Sequence, residues 1–171
     1  MAKVISKKVY STPAMERLKA GSVLMLIAAL GFIAYAIIFF VMNFTEQFLE
    51  LGITSAQVDK GREAIIAFSP SLYNYISHLH VAVAGFIAAT GLAVAGLSWY
   101  GVRRGELWAW VFAVATPVLG LAVALPLHYV YGIATIEHLG LIYLATLVFV
   151  AGALTSLAGF LTRKVEVHKL K

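Results

Sequence analysis

The chain has 171 residues, of which 61% are hydrophobic and 12% charged, with a mean hydropathy of +0.90. A soluble domain carries about 25% charged residues, so the apolar surplus points to lipid and leaves no length for a separate soluble domain. The absence of cysteine excludes disulfide exchange, thiol relays and cysteine-ligated zinc or iron–sulfur centres, and the formal charge of +5 is explained by membrane topology without nucleic acid.

Four stretches contain no Asp, Glu, Lys or Arg: Ala20–Thr45, Ala64–Val102, Leu107–Ile136 and His138–Thr162. Each holds the roughly 20 apolar residues that a bilayer core requires. The expectation is a single membrane domain over residues 1–171, an all-α integral membrane protein built as a four-transmembrane-helix up-down bundle. Its helices are expected near 20–43, 75–100, 107–131 and 137–161. Eleven of the thirteen basic residues fall before the first span, in the second connection or after the fourth span; only Lys60 and Arg62 fall elsewhere. The positive-inside rule then makes the N and C termini cytoplasmic, with the chain multi-pass in the cell (plasma) membrane.

The first span is expected to stay as a true helix, because no small-residue cleavage site follows it before Asn43. The connection over 44–74 is long, and 54–68 reads as an amphipathic helix with Val58, Ile65, Ile66 and Phe68 on its apolar side, ended by Ser69-Pro70-Ser71. Such a segment lies on the outer membrane surface or forms a lid over a site. The second helix is rich in Ala and Gly, which allow close approach in lipid, and is therefore expected to be central. Pro117 and Pro126 interrupt the third helix, and Pro126 leaves the carbonyl of Ala122 without its helical donor. Trp99, Tyr100, Trp108 and Trp110 mark an inner aromatic belt; Tyr73, Tyr75, Tyr129 and Tyr131 mark an outer one.

Topology sorts the five histidines. His168 lies in the tail, whereas His78, His80, His128 and His138 share one layer near the outer ends of three helices. Burial of such groups near the membrane is costly unless something pairs with them, which makes the layer a candidate site; hydrated helix ends are the plainer reading. Residues two apart point roughly 200° apart, so on a regular helix His78 and His80 cannot serve one centre. Small residues (Ala82, Gly85, Ala89, Ala93, Gly96) lie in phase with His78, offering a groove for a planar macrocycle, and His138 on the fourth helix is its natural partner. His128 then binds substrate or supports a ligand.

The segment SHLHVAVAGFIAATGLAV, followed by VLGLAVALPLHYVYGIATIEHLGLIYLATLVF, resembles one four-helix half of the haem A synthase family over Ser77–Phe149. The resemblance implies haem-ligating roles for His78 and His138. No acid stands in 73–77, and Leu79 follows His78 where that family has arginine. HLHVAVAGF is also similar to the His-x-His helix of haem–copper oxidase catalytic subunits, without the rest of that ligand set.

The leading expectation is a membrane redox or haem-handling protein with a b-type haem (haem b) between His78 and His138, exchanging electrons between quinol and an external acceptor. The alternative is a non-enzymatic accessory subunit of a larger respiratory membrane complex, without a cofactor, whose small residues Gly140, Gly152, Ala153 and Gly159 contact other subunits. A third reading is a copper or zinc site of His78, His80, His128 and His138 with Glu137, which needs the start of the second helix unwound. No phosphate-binding glycine loop, zinc-protease helix or Ser/His/Asp pattern is present, so no catalytic residue is assigned. The bilayer, quinol, other membrane subunits or further copies of the chain are the expected partners.

Overall fold

The computed structural model describes residues 12–45 and 52–169. Lys3, Lys7, Lys8 and Lys171 of the basic count lie outside them, as do residues 46–51 of the first connection. The described chain is helical: α1 (Pro13–Thr45), the short α2 (Ser55–Val58) and α3 (Arg62–Phe68), α4 (Pro70–Gly96), α5 (Leu107–Val130) and α6 (Ile136–Lys169). Helices α1, α4, α5 and α6 are each long and apolar enough to cross a membrane.

Local chemistry explains where the boundaries fall. Ser69-Pro70-Ser71 both ends α3 and starts α4: the Ser69 hydroxyl accepts the Leu72 N–H, and Pro70 occupies the first turn, where its missing N–H costs nothing. The second span, α4, therefore begins five residues before the expected Tyr75. The single amphipathic helix expected over 54–68 is instead two short pieces. Asp59 adopts a left-handed φ of 63°, and the following Lys60-Gly61 is non-helical. After α4 the chain continues as a π turn, Leu97–Gly101, and a 3₁₀ turn, Val102–Arg104, that ends at the left-handed Gly105.

The bundle is built around α1, whereas the composition of α4 had pointed to that helix. Helices α1 and α6 run antiparallel along a glycine seam. A Cβ added at Gly152 would lie 2.8 Å from Gly21 O and Met25 N, and one at Gly159 would lie 3.0 Å from Ala14 O. With lipid tails as apolar as the side chains, such backbone approach is what holds membrane helices together. Gly152, Ala153 and Gly159 are thus engaged within the chain. On its other flank α1 receives α4, where Gly91 admits Ile33, and Asn43 Nδ2 donates to Ser77 Oγ at 2.8 Å.

Helix α5 is peripheral. Its buried residues are Ala109, Ala113 and Pro117, all in the half nearer the Arg103–Arg104 turn. There Trp110 Nε1 donates to Ala153 O at 3.1 Å and fastens α5 to α6. Both prolines stay within a continuous helix. Beyond Pro117 no residue of α5 is buried, and a cleft lies between its second half and helices α1 and α4.

A candidate ligand cleft at the histidine end

The gap left by α5 is an apolar cleft of about 420 Å³. Its walls include Tyr35 and Phe39 of α1, Phe86 and Ile87 of α4, Gly120 and Ala124 of α5, and Ile142 of α6; His128 and His138 complete the lining. Phe86 is largely exposed, so the cleft opens to the outside of the bundle as well as into it.

His138 is the most deeply placed of the histidines, at 2% exposure. It stands in the first turn of α6, where Thr135 Oγ1 accepts the His138 N–H at 3.2 Å in an N-cap bond. The first connection covers it. Gly52, at φ 70°, approaches so closely that a Cβ there would lie 2.6 Å from the His138 backbone nitrogen, and the next residue, Ile53, is buried. No L side chain could replace Gly52 without moving the loop.

His128, half-buried near the end of α5, lies beside it: the two imidazoles are stacked with centroids 5.1 Å apart and planes 27° apart. His128 Nδ1 lies 2.9 Å from the Ala124 carbonyl. A carbonyl only accepts, so the contact places the proton on Nδ1 and leaves Nε2 of the neutral ring as an acceptor. Tyr129 and Tyr143 join α5 to α6 beside the pair through a 2.7 Å hydroxyl contact.

The other expected site residues fall elsewhere. His80 is half-buried, with Nδ1 3.1 Å from the Ile76 carbonyl and its ring stacked on Phe39 at 5.2 Å. His78 and Glu137 are exposed, and neither lines the cleft. The small-residue stripe in phase with His78 faces outward: Gly85, Ala89 and Ala93 are exposed, whereas Ala84, Gly91 and Val94, in phase with His80, are buried. The reason is steric: the branched Ile33 of α1 needs the notch at Gly91, which turns the His80 face inward. Of the expected quartet, the structure brings His128 and His138 together. Among the described residues no group of three or more His, Asp or Glu side chains gathers as a metal site.

Tyr35, Phe39 and Gly52 have no counterpart in the sequence reading. Tyr35 and Phe39 come from the first span; a tyrosine in the middle of an apolar run is the signal the sequence offers, and both residues are buried. Gly52 comes from the loop and carried none. No family model, curated protein or solved structure matches the chain.

Proposed function

We propose that this is a multi-pass protein of the cytoplasmic membrane, with both termini inside, that binds a quinol or quinone ring in the cleft beside His128 and His138. The observation that carries this reading is the stacked histidine pair at the polar end of an apolar, lipid-facing cleft. A quinol is itself an apolar molecule with polar hydroxyls on a flat ring, and it reaches its sites sideways through the bilayer. Phe39, Phe86 and Ile87 offer flat and aliphatic contacts for the ring and its tail. His128, held in the Nδ1–H tautomer by Ala124, accepts a quinol hydroxyl at Nε2 and, once protonated, donates to a quinone carbonyl. Electrons would pass to a redox partner in a larger membrane assembly, which keeps the quinol-linked redox expectation without its haem.

The test is calorimetric titration of the protein in nanodiscs with a short-tailed quinone. A neutral hydrogen bond contributes about 0.5–1.5 kcal/mol, so His128→Leu should weaken binding roughly 2- to 12-fold. His78→Leu, at an exposed position off the cleft, should bind as the parent does. Equal affinity in His128→Leu, or no quinone binding by the parent, would end this reading. A sharp b-type band on dithionite reduction, lost in His138→Ala, would assign the cleft to a haem instead.

A further inference from the structure

The opposite end of the bundle holds a second depression, of about 500 Å³, lined by Met15 and Lys19 of α1 and by Trp99, Tyr100, Arg103 and Arg104 after α4. Its construction depends on the unusual end of α4. A π turn takes an extra residue per turn and rotates everything after it relative to a regular helix. Here the turn Leu97–Gly101 delivers Val102 to the core, where it is fully buried in a cluster with Met25 and Ala109. With Val102 anchored, Arg103 and Arg104 emerge beside Lys19. Arg163 Nη1 donates to Gly105 O at 3.3 Å and ties α6 to the same turn.

The Arg103 guanidinium lies over the Trp99 ring, 4.0 Å from its centroid. Stacking uses the face of the guanidinium; its N–H donors lie in its plane and remain directed around its edge, the geometry that grips a phosphate. Among the described residues, Lys19, Arg103 and Arg104 form no ion pair with a carboxylate; Glu16 and Glu106, the acids nearest in sequence, are exposed. Three cations therefore surround one open depression. Trp99 and Tyr100, both exposed, are side chains of the type that settles at lipid headgroup level.

We propose that this depression binds the phosphate of an anionic phospholipid headgroup, with Lys19, Arg103 and Arg104 as its ligands and Trp99 as the platform that fixes Arg103. The lipid, rather than free phosphate, is the source because the aromatic rim and Met15 offer apolar surface to acyl chains alongside the charges.

Native mass spectrometry tests it on the full chain, purified in detergent with equimolar phosphatidylglycerol and phosphatidylcholine. The parent should retain phosphatidylglycerol in preference. Arg104→Gln should lower retention about fivefold, and the triple variant K19Q/R103Q/R104Q should abolish the preference, with Arg103→Lys intermediate because it keeps charge but not the fork. Lys60→Gln, at the histidine end, should retain lipid as the parent does. Circular dichroism separates lost binding from lost folding, and the exposed Arg104→Gln decides if the triple variant misfolds. Equal retention of both lipids by the parent, or unchanged retention in Arg104→Gln, overturns the proposal. So does displacement of the lipid by inorganic phosphate at an ionic strength where chloride has no effect, since the site would then belong to the free ion.

Discussion

Substituting Gly21 by alanine should pry apart the seam on which the bundle depends. The added Cβ would lie 2.6 Å from both Gly152 O and Ser156 N, about 0.8 Å inside the 3.4 Å at which ordinary contact begins. The Ser156 hydroxyl, nearer still, could rotate away, but these two obstacles are backbone that no rotamer change relieves, and α1 and α6 must separate. Overpacking of this kind costs about 1–3 kcal/mol, from which alanine's helix preference recovers up to about 1 kcal/mol. The expected net loss is roughly 0–2 kcal/mol, and the gap to a glycine-to-alanine change that meets no clash is the full 1–3 kcal/mol, because the helix preference is common to both. Gly31→Ala on the same helix is the control: its Cβ would meet Ala145 Cβ at 3.8 Å, an ordinary contact, and should leave stability unchanged or slightly raised. Unfolding by SDS titration in mixed micelles, followed by circular dichroism, compares the two. If both variants unfold at the same SDS fraction, the antiparallel glycine seam does not hold this bundle together.

Two further outcomes follow from the same geometry. Gly52→Ala strains a left-handed residue and pushes the loop off the start of α6, so hydrogen exchange at the His138 amide should quicken while the rest of α6 keeps its protection. Because the chain has no cysteine, single cysteines report topology directly: Lys60→Cys should react with an impermeant maleimide from outside intact cells, and Lys164→Cys only after permeabilisation, the reverse pattern overturning the assigned orientation.

The spans were legible because a bilayer imposes a length on apolar runs, and each of the four charge-free stretches contains most or all of one long helix. The histidine layer was legible for the same reason, since position along a span follows from counting residues. Rotation was not. A soluble helix advertises its buried side by polarity, but α4 is apolar all round, and a stripe of small residues reads equally as a packing face or a lipid face. Gly85 and Gly96 have open space where a Cβ would go, whereas Gly91, on the bulkier stripe, meets Ile33. The bulk that settles the matter sits on α1, and no pattern within α4 reveals it. That is why the structure pairs His138 with His128 rather than with His78.

The cleft itself follows from how α5 divides its residues. Ala109, Ala113 and Pro117 repeat at four-residue spacing and bring the first half of the helix close, while the Trp110 indole reaches across to a backbone carbonyl of α6. Past Pro117 the same stripe continues with Leu121 and Ala124, yet neither is buried, and Gly120 meets nothing within 4 Å. Anchored by packing in its first half, α5 is held to α6 in its second by the Tyr129–Tyr143 contact and the His128–His138 stack, which leaves the cleft between α5 and the face of α1 and α4. In the proposed reading, a flat molecule entering this cleft would meet apolar walls and the imidazole pair at its polar end. A cofactor enclosed on all sides would call for α5 packed along its whole length, whereas the proposed quinone would use the open side of the cleft beside Phe86.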